Sequence, residues 1–367
     1  MKISRIARIS AIGAVAALAL AGCAANEVPA ADGNGTEPTA STLEGTLKAT
    51  GASSQGAAQE AWVAAFQTAN TGVTINYEPT GSGTGRENFI ADASDFIGSD
   101  RAFKTDEFAD GFKTCTTDSI VEVPLYISPV AVAFNLEGID SLNLDAKSIA
   151  GIFAGTITKW NDPAIADQNE GVELPDLAIS PVHRSDDSGT TETFTNYLNA
   201  TAPDVWTNEA DGVWPLQGGE AAQGTSGVVQ AIKAGNGAIG YADASQTTGL
   251  GQVHVGVNGE YVAYSAEAAA ALVEASPLEE GRGAGDLVFA VDPAAAPAGS
   301  YPIALVSYLI ACEEYEDTNT AGLVKAYFEY IASEEGQQAA ADNAGSAPIS
   351  DGLREKVLAA IDTIKVG

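Results

Sequence analysis

The chain has 367 residues, of which 45% are hydrophobic and 7% aromatic. This length allows two domains and the composition is typical of a folded globular protein, which excludes a small disulfide-stapled scaffold and a disordered chain. Asp and Glu outnumber Lys and Arg by 49 to 17, and the resulting formal net charge of −32 repels nucleic acids and anionic lipids. A nucleic-acid partner is therefore not expected.

The N-terminus has the pattern of a secretion signal. Three Lys and Arg residues precede an uncharged apolar run over residues 9–21, which is too short to span a bilayer as a stable helix. The run ends in Leu-Ala-Gly-Cys at residues 20–23, which resembles the lipobox of bacterial lipoproteins, in which the peptide is cut before a Cys that carries lipid. We expect residues 1–22 to be a signal peptide and Cys23 to be lipidated. The alternative is an ordinary signal peptide with an incidental Cys23.

Residues 23–44 are rich in Ala, Gly, Pro, Thr and acidic residues without a hydrophobic period, as is typical of a flexible tether, here lipid-anchored. The two later cysteines, Cys115 and Cys312, are candidates for one disulfide, because an exported protein meets an oxidising environment. The bond would close a loop of 197 residues, which the entropy of loop closure converts to about 5 kcal/mol of stability. Two buried free thiols are the alternative.

From about residue 45 the hydrophobic pattern alternates between strands and helices. Residues 47–50 and the β-branched run over residues 73–77 are predicted strands, and residues 57–70 have apolar side chains at helical spacing. This β-α-β start is typical of an α/β protein.

Two apolar runs that are far apart in the sequence, residues 121–134 and 305–311, are predicted strands that cross between two lobes. A crossing needs extended chain and tolerates the prolines of the first run. Lobe one then takes residues 45–124 and 301–367 and is discontinuous, while lobe two takes residues 125–300. Further helices are predicted over residues 148–154, 192–198, 228–234, 265–275, 323–333 and 353–364, and a short strand over residues 237–241.

Four stretches, residues 50–54, 80–85, 99–101 and 184–191, place small hydroxyl, glycine or charged residues where a predicted strand gives way to a helix. Glycine lets backbone N–H groups approach an anion, hydroxyls add donors, and the N-terminus of the following helix is positive. Singly, such stretches are more typical of turns and helix N-caps. The chain has no GxxxxGK[ST] and no complete GxGxxG, so nucleotide binding is not expected.

Taken together, the motifs resemble those of phosphate-binding proteins of ABC uptake systems. Residues 152–165, IFAGTITKWNDPAI, resemble their IFxGxIxxWNDPxI segment; residues 183–194, HRSDDSGTTETF, are similar to their R-x-D-x-S-G-T-x-x-x-F loop; and GAIGY at residues 237–241 matches their strand. The resemblance runs from about residue 45 to the C-terminus. It implies a two-lobe α/β fold of the type II periplasmic-binding-protein kind, in which each lobe is a mixed sheet flanked by helices and two crossing strands join the lobes.

The resemblance also implies a phosphate site, carried over only where the motifs align. The implied site residues are Ser53, Ser54, Ser82, Asp100, Arg184, Ser188, Gly189 and Thr190, with Asp186 as the partner of Arg184. Ser53 and Ser54 replace the Thr-Phe of many members, and Asp187 replaces the Gly of several. Arg86 lies outside the family pattern, and we interpret it as a solvated helix residue, with a second cation near the cleft as the alternative. A surface ion pair is the alternative for Arg184 and Asp186.

In the implied site, Asp100 would select for a protonated ligand. Its carboxylate can accept a hydrogen bond from monobasic or dibasic phosphate, whereas fully ionised sulfate would be repelled. A plain helix N-cap is the alternative for Asp100.

Two other functions remain as alternatives: binding of another oxyanion, such as sulfate or molybdate, and a hydrolase or phosphatase activity. The chain contains no G-x-S-x-G elbow, and its two histidines, His183 and His254, are far apart in sequence. We therefore expect no enzyme activity, no cofactor and no metal site.

We expect a monomer that captures inorganic phosphate outside the cell and closes its lobes about the crossing strands. The family implies that the closed form then docks on an ABC permease. With the predicted lipid anchor, this gives a location at the extracytoplasmic face of the cell membrane.

Overall fold

The computed structural model describes residues 42–367. The predicted signal peptide, the lipidation site at Cys23 and most of the tether lie outside the described residues. Within this range, no helix combines the length and the apolar character needed to cross a membrane.

Strands and helices alternate along most of the chain, and each predicted strand and helix is present within a few residues of its expected bounds. The strands are β1 (Glu44–Gly51), β2 (Gly72–Glu78), β3 (Phe96–Ser99), β4 (Ile120–Phe134), β5 (Ser141–Leu144), β6 (Ser180–Arg184), β7 (Glu220–Ala222), β8 (Ala238–Asp243), β9 (Gly251–Val257), β10 (Glu260–Val262), β11 (Ala304–Cys312), β12 (Glu314–Tyr315) and β13 (Lys365–Val366). The helices are α1 (Gly56–Ala69), α2 (Ser82–Ile90), α3 (Ala146–Phe153), α4 (Pro163–Ala166), α5 (Gly189–Thr201), α6 (Gly224–Ala234), α7 (Ala266–Ala275), α8 (Thr318–Ala332), α9 (Glu334–Ala344) and α10 (Asp351–Ile361).

A mixed sheet of eleven strands runs through the molecule in the order β2-β1-β3-β11-β4-β8-β6-β7, and β9 pairs with β4, β5 and β10. Strands β2 and β3 are parallel to β1, whereas β11 is antiparallel to both β3 and β4. We call the half with β1, β2, β3 and β11 the first lobe, and the half with β5 to β10 the second lobe.

Strand β4 belongs to both lobes. It pairs with β11 over residues 120–129 and with β8 over residues 130–134, and it is buried along its whole length. The pairing of β4 with β11 shifts register between Ser307 and Tyr308, where Leu125 of β4 is left without a partner next to Pro124, which has no N–H to donate to the ladder. The predicted two-lobe α/β architecture with crossing strands is therefore confirmed.

The segment with the WNDP motif has a structural role in the second lobe. Trp160 is fully buried, its ring lies 5.5 Å from that of Phe134, and its indole N–H donates to the carbonyl of Gly237 at 3.1 Å. Asp162 caps α4 by accepting from the backbone N–H of Ala164. The motif thus fixes the start of β8 rather than a ligand.

A disulfide bond joins Cys115, in the loop before β4, to Cys312, the last residue of β11. Since β4 and β11 are the two predicted crossing strands, the bond fastens this pair at the end that lies in the first lobe.

Candidate functional site

Four helices of the two lobes begin close together: α1 and α2 in the first lobe, α5 and α6 in the second. The backbone N–H of Gly83 in α2 donates to the carbonyl of Asp187, just before α5, at 3.2 Å. The N–H of Thr225 in α6 donates to the hydroxyl of Ser53, just before α1, at 3.0 Å. Because helix N-termini carry free N–H groups and partial positive charge, this boundary favours an anion despite the negative charge of the chain.

Asp100, directly after β3, is at the centre of the boundary and is 6% exposed. Its carboxylate accepts three hydroxyl hydrogen bonds, at 2.5 Å from Ser54, 2.6 Å from Ser307 and 2.7 Å from Thr190. Its backbone N–H donates to the hydroxyl of Ser82 at 3.1 Å. Thr190 belongs to the second lobe and the other donors to the first, so this carboxylate joins the lobes.

The alternative role of Asp100 as a helix N-cap is wrong. The next helical turn along the chain begins only at Glu107. The side-chain oxygens of Asp100 instead accept hydroxyl groups from distant segments, as described above. The carboxylate is therefore held as an acceptor by tertiary contacts.

Arg184, the last residue of β6, is paired in a fork with Asp186. The guanidinium donates from Nε to one carboxylate oxygen at 2.8 Å and from Nη2 to the other at 2.5 Å. The side chains are only 3% and 12% exposed, so the pair is not a surface ion pair. Burial raises the pKa of Asp186, but the hydrogen bond and the charge of Arg184 outweigh it and hold that pKa below its ordinary value. The carboxylate also accepts from the N–H of Gly224 at 3.1 Å, which connects the pair to α6.

Two of the site serines contact helix N-termini of the second lobe. The hydroxyl of Ser53 lies 3.0 Å from that of Thr225 at the start of α6. Ser188 is buried and caps α5 by accepting from the N–H of Thr191 at 3.2 Å. A capping hydroxyl still has its own proton, so Ser188 can cap the helix and donate to a ligand.

Two glycines make the close approach of the lobes possible. Gly81 has a φ of +106°, and a Cβ there would lie 2.5 Å from a carboxylate oxygen of Asp186. A Cβ on Gly189 would lie 2.6 Å from the Cβ of Asp100. Any larger residue would therefore push α2 or α5 away from the boundary.

The interpretation of Arg86 as a solvated helix residue is wrong, because this residue of α2 is 3% exposed. Its Nη1 donates to the hydroxyl of Ser99 at 3.0 Å, and its Nη2 lies 3.3 Å from both carboxylate oxygens of Asp187. Burial, followed by the charge of Arg101, lowers the pKa of Arg86 from its ordinary value. Arg86 is thus a buried cation at the boundary between the lobes.

Ser307 and Thr225 belong to the site although the motifs did not indicate them. Ser307 is a lone hydroxyl within the apolar run over residues 305–311, whose composition predicts only a crossing strand. Thr225 lies in the sequence GTSG at residues 224–227, which has the same small, hydroxyl-rich composition as the four stretches singled out above. That composition could have indicated Thr225, but no comparable signal accompanies Ser307.

The site offers hydrogen-bond donors rather than an activated nucleophile. The ring nitrogens of His183 lie 2.9 Å and 3.1 Å from the backbone carbonyls of Arg184 and Gly218, and the ring stacks on Trp214. Its contacts are therefore structural. Among residues 42–367, no three His, Cys, Asp or Glu side chains are grouped so as to hold a metal ion.

Comparison with known proteins gives consistent matches. Residues 36–335 match a family model described as a PBP superfamily domain. Phosphate-binding protein PstS 3 of Mycobacterium leprae is 33% identical over 356 residues, which cover 94% of this chain and 95% of that protein. PstS 3 of Mycobacterium tuberculosis is 35% identical over 326 residues, 87% of this chain and 86% of its own.

A solved structure also shares the fold. It is that of a high affinity periplasmic phosphate-binding protein, PfluDING, bound with phosphate at pH 8.5. The two chains superpose with a TM-score of 0.68 and 22% identity, over 86% of this chain and 93% of the other. This match confirms the expected periplasmic-binding-protein-like fold.

Proposed function

This chain belongs to the PBP superfamily and, within it, to the PstS phosphate-binding proteins, and from that membership we propose that it binds inorganic phosphate between its lobes. The observation that carries the proposal is the carboxylate of Asp100, which accepts hydroxyl groups from both lobes within a ring of helix N-termini. A tetrahedral oxyanion that enters this boundary would exchange its water for many fixed donors.

The proposed donors are the hydroxyl and backbone N–H groups of the predicted set, and Arg184 supplies the positive charge that is proposed to contact the ligand. Asp186 accepts from Nε and Nη2 of Arg184, so the guanidinium would donate to the ligand from its other edge, which carries Nη1. The set is Ser53, Ser54, Ser82, Ser188, Gly189 and Thr190. Neutral donors of this kind bind an anion without adding charge that would attract unrelated ligands.

Selection of phosphate over sulfate would depend on which hydrogen bonds to Asp100 are exchanged for hydrogen bonds to the ligand. Ser54 and Thr190 donate to Asp100 at 2.5 Å and 2.7 Å, and both are proposed phosphate donors. We infer that they turn to the ligand on binding and free an oxygen of Asp100 to accept a hydrogen bond from the protonated phosphate. Sulfate has no proton at neutral pH, so its charge would face this carboxylate without compensation.

We further propose that the protein acts as a monomeric transport component and not as an enzyme. The two lobes would close on phosphate about β4 and β11. Lobe one takes residues 45–124 and 301–367, and lobe two takes residues 125–300. The closed form would deliver phosphate to an ABC permease from a lipid anchor at Cys23 on the extracytoplasmic face of the membrane. Family membership and the lipobox motif support these steps.

Isothermal titration of the purified protein with phosphate, arsenate and sulfate tests the binding proposal. Phosphate should bind tightly, arsenate should compete because it shares the shape and the proton, and sulfate should bind far more weakly. Sulfate or molybdate binding that is tighter than phosphate binding would favour the alternative of another oxyanion.

Substitution of Cys23→Ser tests the proposed anchor in cells of the source organism. We expect the variant to appear in the medium or in the soluble fraction, since it lacks the residue that carries lipid. Retention of Cys23→Ser in the membrane fraction at the level of the wild type would refute lipid attachment.

A further inference from the structure

Arg86, which the family pattern does not cover, and Asp187, which replaces the Gly of several members, contact each other in the structure. They are 101 positions apart, one in α2 of the first lobe and the other just before α5 of the second. The guanidinium lies 3.3 Å from both carboxylate oxygens. The two residues therefore form an ion pair across the boundary between the lobes.

The pair is joined to the site on both sides. Arg86 also donates to the hydroxyl of Ser99 at 3.0 Å, and Ser99 comes immediately before Asp100. Asp187 comes immediately before Ser188, and its backbone carbonyl accepts from the N–H of Gly83 at 3.2 Å. The Arg86 guanidinium thus connects Ser99 and Asp187, each of which directly precedes a proposed phosphate-binding residue of its lobe.

The burial of the two partners is unequal. The Arg86 side chain is 4% exposed and that of Asp187 is 44% exposed. In the closed arrangement, the partners of this guanidinium offset the cost of removing it from water, so Arg86 would be poorly compensated if it lost the Asp187 carboxylate while still buried. Opening of the lobes would break the contact with Asp187 and leave the charge of Arg86 without this carboxylate. Separation of the lobes is therefore opposed by a contact that is distinct from the phosphate contacts.

We propose that Arg86 is a positioning residue and that its pair with Asp187 holds the closed arrangement of the lobes and slows phosphate release. The inference rests on the proposed function, since it assigns a role in phosphate retention. It differs from a direct role of Arg86 as a second cation for the ligand, because Asp187 would then weaken phosphate binding by neutralising that charge. The two roles predict opposite effects when the carboxylate is removed.

The test uses Asp187→Ala, which removes the carboxylate from a half-exposed position, keeps the backbone carbonyl that Gly83 contacts, and leaves the buried Arg86 in place. We expect phosphate affinity to fall about tenfold, mainly through faster dissociation, as is usual when a contact that holds a complex closed is lost. Calorimetry gives the affinity and stopped-flow release into a phosphate-trapping sensor gives the dissociation rate. Asp176→Asn is the matched control, because Asp176 pairs with Lys159 at an exposed position of the second lobe, and it should change neither value.

Arg86→Met, alone and combined with Asp187→Ala, completes the test. If the pair acts as one unit, the double variant should bind about as weakly as the weaker single variant, whereas independent effects would multiply. Unchanged or tighter binding by Asp187→Ala, or full multiplication in the double variant, would overturn the inference. A wild-type protein that binds no phosphate would overturn the proposed function and this inference together, while normal wild-type binding with an unaffected Asp187→Ala would overturn the inference alone.

Discussion

Two buried carboxylates in this protein have the same chemistry and different surroundings. Asp243, the last residue of β8, is fully buried and accepts hydroxyl groups from Tyr126, Ser128 and Ser245. Asp100 likewise accepts three hydroxyls, as described above. The donors to Asp243 come from β4, which pairs with β8, and from a residue two positions along the chain. The donors to Asp100 come from three separate segments that are divided between the lobes.

The difference shows how one kind of hydrogen-bond cluster can serve either as a scaffold or as a binding site. Two donors to Asp243 lie on β4, the strand next to β8, and the third lies two positions beyond Asp243 in the chain, so their positions do not depend on contacts between loops of the two lobes. The burial of Asp243, only partly offset by its hydroxyl donors, raises its pKa from 3.8 to about 6. The donors to Asp100 can separate, and their hydrogen bonds can pass to a ligand.

The largest expected effect is that of removing the Arg184 guanidinium, the positive charge proposed to bind phosphate. Arg184→Ala should weaken phosphate binding by about 3–5 kcal/mol, because it removes a buried charged donor and leaves the carboxylate of Asp186 without its cation. Calorimetry measures the loss, and a thermal melt shows whether the fold survives. Arg354→Ala is the control, since this α10 arginine forms ion pairs with the exposed carboxylates of Asp351 and Glu334. A loss below about 1 kcal/mol would show that backbone donors dominate the binding.

Asp100→Asn changes the acceptor into a group that can also donate. The ratio of phosphate to sulfate affinity should fall by about 100-fold, since the like-charge repulsion that opposes sulfate is removed. Competition calorimetry with both anions gives the ratio. Asp243→Asn should leave it unchanged, and equal selectivity in Asp100→Asn and the wild type would remove the role assigned to Asp100.

Asp243→Asn should affect stability in a pH-dependent way. The pKa of Asp243 is raised by folding, from 3.8 to about 6, so between these values the folded protein holds a proton that the unfolded chain has lost. The free energy of unfolding of the wild type therefore falls as the pH rises through this window, by about 2–3 kcal/mol from this residue.

The variant lacks this titration. Its stability relative to that of the wild type should thus rise by about 2–3 kcal/mol between about pH 4 and pH 7, as measured by urea denaturation across this range. A difference that does not vary with pH would contradict the raised pKa of Asp243.

The smallest expected effect compares one hydroxyl in each cluster. Ser307→Ala should weaken phosphate binding by about 1 kcal/mol, because Asp100 loses a donor that takes no part in ligand binding. Ser128→Ala removes the corresponding donor from Asp243 and should lower the free energy of unfolding by about 1–3 kcal/mol with little change in phosphate affinity. The comparison fails if both substitutions change binding equally.

Much of the fold and of the site follows from local sequence signals. Strands and helices such as β1, α1 and β4 have hydrophobic periods that depend only on near neighbours, so their positions could be predicted. The glycine and hydroxyl stretches before α2 and α5 likewise indicate helix N-termini that suit an anion. The boundaries of the two lobes, residues 45–124 with 301–367 and residues 125–300, remain a prediction.

Tertiary structure alone decided which distant groups meet. Ser307 and Asp100 are 207 positions apart, and nothing beside either residue indicates the other. Arg86 is polar and therefore suggested a solvated helix face, yet the packing of α2 against the second lobe buries it beside Asp187. A periodic pattern specifies which face of an element is covered, but not which remote segment covers it, since that depends on the packing of the whole chain.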